Sequence, residues 1–313
     1  MEIIRVPLRI PICGGGTDLP SFYQKYGSVF VSAAINKYIY LTYHESDFAD
    51  AYRCRYSKTE EVNSIDEIQN EIIRETAKFY KVKNKFELTS HAEVPSNTGL
   101  GSSGAFGVGL CHLWSQDKNK LKLAEEATNI QLNLGFPIGK QDQYIAAFGG
   151  INVFVINKDG EVTIEGLQVD TNVLQQRLVL FFTGIKRNAN EILITQKEKS
   201  EEGDSKMMVA LKETQEIGVE QLKALRLKNF DMYGRLLNEH WEVKQKRSPI
   251  MTTKEINRWY KLGMKNGALG GKLLGAGGGG FLMFYTNDPK RLIKAMPLKH
   301  MAFDWDFQGV KRI

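Results

Sequence analysis

A chain of 313 residues is longer than one hydrophobic core usually grows, and two units of about 150 residues each are the natural division. Its 42% hydrophobic and 25% charged residues are those of an ordinary globular protein, and no apolar run approaches the roughly 20 residues of a membrane span. The net charge of +6 does not gather into a nucleic-acid stripe, because basic and acidic residues interleave, as in Lys197-Glu198-Lys199-Ser200-Glu201-Glu202; an enzyme acting on phosphorylated anions accounts for the surplus as well. Cys13, Cys54 and Cys111 are odd in number and far apart, which predicts buried free thiols rather than a disulfide framework or a zinc site. The five histidines are equally scattered. Met1 to Arg5 lacks the apolar core of a secretory signal, so a cytoplasmic protein without membrane or nucleic-acid partners is expected.

In chain order, β-rich runs at 3–12, 29–35 and 38–43 come first. The first of them leads into Gly14-Gly15-Gly16-Thr17-Asp18, where three glycines at a strand end mark a close backbone approach or a plain loop. In the functional reading, Asp18 accepts hydrogen bonds from neighbouring sugar hydroxyls and Arg9 supplies fixed positive charge. A helix is predicted over 64–80, its start marked by the capping-box spacing of Ser64 and Glu67. Phe86 to Val94 alternates apolar and polar, the pattern of a half-exposed antiparallel strand.

Pro95-Ser96-Asn97-Thr98-Gly99-Leu100-Gly101-Ser102-Ser103-Gly104 follows, immediately ahead of an apolar helical run. Glycines let the backbone turn its N–H groups toward a polyphosphate, and the positive end of the following helix reinforces them. Ser102 and Ser103 add hydroxyls for a phosphate oxygen or a magnesium ion. Gly99 to Gly104 also fits the dinucleotide fingerprint, but that motif needs a buried parallel strand directly before it; a tight turn with a helix cap is the remaining alternative.

Helices are predicted over 103–116, 121–133 and 140–147, and strands over 151–156 and 162–169. Gly139-Lys140-Gln141-Asp142-Gln143 opens the third helix, making Asp142 a candidate base and Lys140 a candidate anion partner, although a polar first turn is common in any helix. The polar segment 170–176 precedes a strand over 177–182. A boundary near it divides the chain into 1–172 and 173–313. Long helical patterns at 205–225, 230–244 and 253–266 then lead to Gly270-Gly271-Lys272, which is no Walker loop because Leu273 stands where a magnesium-binding Ser or Thr is required. Gly275-Ala276-Gly277-Gly278-Gly279-Gly280 runs straight into an apolar strand, as a loop closing over a ligand would and a linker would not. An antiparallel-rich half followed by a helix-rich half reads as α+β.

Taken together, Arg5-Val6-Pro7-Leu8-Arg9 with Gly14 to Asp18, the Pro95 to Gly104 loop, Gly139 to Gln143 and Gly275 to Gly280 resemble the galactokinase, homoserine kinase, mevalonate kinase and phosphomevalonate kinase superfamily. The motifs stand in family order and span nearly the whole chain. Gly14 to Pro20, Gly139 to Tyr144 and Thr183-Gly184-Ile185-Lys186-Arg187 are most similar to the branch of D-glycero-D-manno-heptose 7-phosphate kinases, which phosphorylate an anomeric hydroxyl. The resemblance implies an N-terminal domain like domain 2 of ribosomal protein S5 and a C-terminal ferredoxin-like domain, a monomer or homodimer, with ATP and a sugar phosphate bound between them.

By the same resemblance Pro95, Gly99, Leu100, Gly101, Ser102, Ser103 and Gly104 wrap the ATP phosphates, and Ser103 touches Mg2+. Asp142 and Arg9 are catalytic by that resemblance and Asp18 holds the sugar; Gly15, Gly16, Thr17, Lys140, Gly277 and Gly278 are the further candidate substrate contacts, and Arg187 and Lys272 are the candidate cationic partners of a distal phosphate, with solvated surface charge as their plain alternative. One departure stands out: Gln131 occupies the position of a magnesium-binding glutamate, an amide being a weaker ligand than a carboxylate, with Glu126 or a water as the substitute. Another sugar 1-kinase, fucokinase- or galactokinase-like, and a non-catalytic sugar-binding regulator on the same fold are the rival readings.

Overall fold

The computed structural model describes residues 1–45, 48–185, 189–202 and 204–313, with the backbone alone over 189–193. Its first sheet is built on two long strands. β1 (Glu2–Cys13) is buried along almost its whole length, and α1 (Pro20–Tyr26) links it to β2 (Ser28–Glu45), its antiparallel partner. The runs 29–35 and 38–43, expected as two strands, are one. Pro7 and Pro11 of β1 lack a donor for the ladder, and the register shifts after each; at the first shift Pro7 faces Tyr38 while Leu8 faces Ile35, so Asn36 and Lys37 bulge without ending the strand.

At 18 residues, β2 is long enough to serve two further partners. Its first part pairs with β6 and its last part with β5. Between these lie β3 (Tyr52–Arg55), β4 (Thr59–Val62), α2 (Glu71–Phe79) and β5 (Phe86–Ala92). Ser64 and Glu67 do form their capping box, but it caps a single 3-10 turn, Ile65–Glu67; the helix proper starts six residues later under the Asn70 side chain, which accepts from the Ile73 N–H. Helices α3 (Ser102–Trp114), α4 (Lys120–Asn133) and α5 (Gln141–Phe148) pack together beside the sheet, followed by β6 (Ile151–Ile156) and β7 (Val162–Gly166). Every residue of α3 from Gly104 to Leu113 is buried, the mark of a central helix.

The polar segment 170–176 holds a short helix: Asp170 caps α6 (Thr171–Arg177), which runs into β8 (Leu178–Phe182). Next come α7 (Ala189–Glu201), α8 (Ser205–Arg226), α9 (Phe230–Gln245), α10 (Lys254–Lys265), β9 (Ala268–Leu273), β10 (Phe281–Thr286), α11 (Pro289–Ala295), β11 (Lys299–Met301) and β12 (Lys311–Arg312). The second sheet is antiparallel in the order β11-β8-β10-β9. Both its faces are buried: Leu178, Leu180, Phe281, Met283 and Tyr285 join the core of the first sheet, and Val179, Phe181, Leu282 and Phe284 join a second core with Trp241, Ile256 and Leu292. Burial on two faces is why β8 and β10 read as unbroken apolar runs. Gly270 and Gly271 are strand residues; a Cβ on Gly270 would stand 2.0 Å from the Gly234 carbonyl oxygen of α9, so helix and strand meet backbone to backbone.

Past the expected division at 172/173 the chain end returns to the first sheet: β12 pairs with β1, Trp305 bridges to Ile35, and the Asp306 N–H donates to the Ala34 carbonyl. The three cysteines are buried free thiols. No described helix is long and apolar enough to cross a membrane.

Candidate active site

The cleft between the units, about 190 Å³, collects motifs from opposite ends of the sequence. Gly101, in the left-handed conformation at φ 77°, ends the loop and starts α3. The first helical bond is from the Ala105 N–H to the Gly101 carbonyl, so the N–H groups of Ser102, Ser103 and Gly104 have no protein acceptor among the described residues; their residues line the cleft. Two orphan hydroxyls stand beside them. This is a ready anion site.

The α5 N-terminus closes on the same point. A Cβ on Gly104 would stand 2.5 Å from the Asp142 Cβ, so only glycine lets the first turns of α3 and α5 approach this closely. Arg9 locks the arrangement: its Nε donates to Asp142 Oδ1 at 2.7 Å and its Nη1 to the Gly99 carbonyl at 2.6 Å, while its backbone N–H donates to Leu100 O. Asp142 Oδ2 carries no hydrogen bond among the described residues, leaving one carboxylate oxygen for a ligand.

Asp18 lies on the other wall. It is 7% exposed and accepts from the Gly16 N–H at 3.2 Å and the Gln141 N–H at 2.9 Å. Burial raises its pKa above the ordinary carboxylate value, only partly offset by the Gln141 N–H. Gly139 is required here, since a Cβ would lie 2.0 Å from Asp18 Oδ2. The two glycine loops meet edge to edge: a Cβ on Gly275 would be 2.4 Å from Gly99 Cα, and one on Gly280 would be 2.2 Å from Thr98 O.

The family models described as GHMP kinases N terminal domain and GHMP kinases C terminal match residues 67–150 and 221–301. A D-glycero-alpha-D-manno-heptose 7-phosphate kinase of Campylobacter jejuni is 31% identical over 99% of this chain and 98% of its own. The chain belongs to the GHMP kinase family. A galactokinase of Pyrococcus furiosus is 26% identical over 88% of this chain and 86% of its own. A crystal structure described as a D-glycero-D-manno-heptose 1-phosphate kinase from Bacteroides thetaiotaomicron superposes with a TM-score of 0.78, at 23% identity, over 100% of this chain and 99% of the other. This GHMP kinase is a phosphotransferase acting on a sugar hydroxyl, and sugar kinases of the family take ATP as the phosphate donor.

Within this GHMP kinase the cleft wall includes Arg9, Gly15, Gly16, Asp18, Gly99, Gly101, Ser102, Ser103, Gly104, Asp142 and Lys272. Several expected residues lie off it, each for a visible reason. The Thr17 hydroxyl turns inward to Ser28 Oγ at 2.7 Å. Lys140 Nζ donates to the Gly160 carbonyl at 2.5 Å, between the Tyr23 and Tyr144 rings. Gly277 and Gly278 face Met251, with Gly275 and Ala276 lining the cleft in their place. Pro95 is exposed outside the cleft, and Leu100 is a core anchor. Arg187 lies outside the described residues.

Gln131 is fully buried and absent from the cleft wall. Its Nε2 donates to the Ser103 carbonyl at 3.2 Å and its Oε1 accepts from Gln143 Nε2 at 3.1 Å. Because a carbonyl can only accept, the amide cannot turn its oxygen that way, so Gln131 braces the start of α3 and is not placed as a metal ligand. Glu126 is taken by the Tyr80 hydroxyl.

Sequence reading passed over His240, Lys244 and Arg247, all buried on the cleft wall. His240 and Lys244, four residues apart, share one stripe of α9 beside the core residues Leu237 and Trp241, and Arg247 follows in the turn just past the helix; cations on an apolar face were the available signal. Lys244 Nζ donates to Leu273 O at 2.8 Å and Gly275 O at 2.6 Å, tying α9 to the second glycine loop.

Proposed function

We propose that this kinase transfers the terminal phosphoryl group of ATP to the anomeric hydroxyl of D-glycero-D-manno-heptose 7-phosphate, supplying a route to nucleotide-activated heptose. The observation that carries the reading is the meeting of Asp142 with the orphan N–H and hydroxyl groups of Ser102 and Ser103 in one cleft, braced by Arg9. A relative named for this activity, similar over nearly the full length of both chains, supports the substrate. The second sheet's order β11-β8-β10-β9, last-first-third-second within its unit, supports a ferredoxin-like description, and the first sheet is read as the S5-like partner.

The nucleotide phosphates lie against the N–H groups of residues 102–104, and the sugar lies between Asp18 and Asp142. Asp142 Oδ2 accepts the hydrogen bond of the attacking hydroxyl. The new bond forms between the sugar oxygen and the terminal phosphorus as the bond to the bridging oxygen of ADP breaks, and the hydroxyl proton passes to Asp142. Arg9 fixes the carboxylate and places a positive charge beside the transferred group. In phosphoryl transfer such positioning and charge stabilisation account for most of the rate.

Magnesium bound to the nucleotide would neutralise phosphate charge here. The residues present fit an ion held mainly by phosphate oxygens and water, with Ser103 Oγ the protein's contribution, because no cluster of three carboxylate, His or Cys ligands exists among the described residues.

The test is ATP consumption with a panel of heptoses and hexoses, with and without a distal phosphate, and ³¹P NMR of the product. The expected product carries a second phosphate at the anomeric carbon. Turnover of an unphosphorylated sugar in preference to every sugar phosphate would replace this reading with a galactokinase- or fucokinase-like one, and no turnover at all with a regulator.

A further inference from the structure

The cleft wall holds more buried positive charge than its carboxylates answer. Arg9 is paired with Asp142. Arg247 and Lys272, 5% and 1% exposed, have no ion pair among the described residues, and both Asp18 oxygens are already taken by backbone N–H groups. Unpaired buried charge is costly to a fold and is normally kept where a ligand supplies the counter-charge.

Both cations lie against the Gly14–Gly16 loop. Arg247 Nη1 is so near Gly16 that a Cβ there would stand 2.5 Å from it, and its Nη2 donates to Thr214 Oγ1. Its Nε, buried, has no acceptor. Lys272 Nζ reaches only the Gly14 carbonyl at 3.4 Å and His240 Nδ1 at 3.5 Å, both long. Beside them Gln141 Nε2, on a residue 6% exposed, is a third buried donor without a partner, and a Cβ on Gly15 would be 3.7 Å from it. Three under-used donors thus surround one loop on the Asp18 wall, whereas the orphan N–H groups of α3 stand with Asp142.

We propose that Arg247 and Lys272, with Gln141 Nε2 beside them, form the subsite for a phosphate monoester dianion carried by the acceptor sugar, remote from the hydroxyl that reacts. The subsite rests on the sugar-phosphate reading above and deepens it by naming what selects the phosphorylated substrate. Burial pushes Lys272 down to about 7 and Arg247 down to about 10, and a dianion between them would restore full charge to both.

The test uses the full chain with Arg247→Met and Lys272→Met, each compared with the parent on heptose 7-phosphate, on unphosphorylated heptose and on ATP, and in thermal shift with inorganic phosphate alone. The ratio of kcat/KM for the phosphorylated over the unphosphorylated sugar should fall about 10- to 100-fold in each variant, the range for losing a charged hydrogen bond. The stabilisation by inorganic phosphate should shrink with it. Without ligand, melting temperatures no lower than the parent's are expected, which separates lost recognition from lost folding. A parent that prefers the phosphorylated sugar while the variants keep its ratio overturns the subsite alone, as does a rise confined to the KM for ATP. A parent with no such preference overturns the subsite and the functional reading together.

Discussion

At the scale of single residues the site is a contrast between one paired and several unpaired charges. Asp142 and Arg9 form an ion pair that leaves one carboxylate oxygen for the acceptor, so Asp142→Asn keeps the shape and removes the proton acceptor. The expected result is a kcat lower by about 10²- to 10⁴-fold with the KM for ATP little changed, measured by steady-state kinetics. Lys272 predicts a pH dependence of the same sign as acid denaturation, from a cation buried in its neutral form rather than from a carboxylate. Its pKa is lowered by burial first and by Arg9 and Arg247 next, with Cys13 opposing, so the folded chain binds fewer protons here than the unfolded one between about 7 and the ordinary lysine value. Stability of the ligand-free protein from this group is therefore lowest below about 7 and rises as pH increases through that window. Lys272→Met should abolish the rising limb and stabilise the protein by about 1–4 kcal/mol at pH 6, read from urea midpoints across pH. Asp18 was singled out in the sequence because it closes a glycine cluster, and Asp142 because it stands in the first turn of an expected helix; Arg247 was not, because a cation in the turn just past a long helix looks like solvated surface until the packing around it is known.

Elements position these residues through backbone contacts that only glycine permits. The first turns of α3 and α5 touch at Gly104 and Asp142. Replacing an interior helix glycine with alanine ordinarily stabilises by up to about 1 kcal/mol. Here Gly104→Ala should instead destabilise by about 1–3 kcal/mol, because the added carbon must push α5 away. A displacement near 1 Å at the reacting groups should lower kcat about 100-fold, measured beside a control substitution on the exposed face of α4. Gly275→Ala meets two obstacles at once, a φ of 68° and the Gly99 backbone, and should raise the KM for ATP at least about 10-fold by spreading the two loops. The glycine richness of these loops was plain in the sequence, but not what each glycine faces. The same limit explains the elements that were missed. β3 and β4 are four residues each and carry Arg53, Glu60 and Glu61, too short and polar for a period to show, and the Ser64 capping box is real but caps one turn.

The whole molecule should unfold as one unit despite its two sheets, because they share a core. Leu180, Met283 and Tyr285 of the second sheet share a core with β1, and the Tyr233 hydroxyl of α9 donates to Ile12 O at 3.1 Å. A further tie is the chain end, whose return to the first sheet no local pattern announced, because two-residue strands depend on a partner more than 300 positions away. Asp306 organises that return. It is 4% exposed, and one oxygen accepts from the N–H groups of Gln308 at 2.9 Å and Gly309 at 2.7 Å, while the other accepts from Arg5 at 3.3 Å and the Tyr38 hydroxyl at 3.0 Å. Its N–H meets Ala34 O and its carbonyl meets the Gly150 N–H, so β1, β2 and the α5–β6 turn all lean on one residue. Val310 extends the tie to α5 by donating to the Ala146 carbonyl, four residues from Asp142 in the helix that carries it. Asp306→Ala strips four donors of their acceptor and leaves the Arg5 guanidinium, only partly exposed, without its ion pair. A loss of about 3–5 kcal/mol is expected, the range for breaking a buried pair from one side. Because both sheets share the core, calorimetry should show one transition moved to lower temperature as a whole. Two separated transitions, with the second sheet melting at its original temperature, would mean that the tail fastens only its own neighbours.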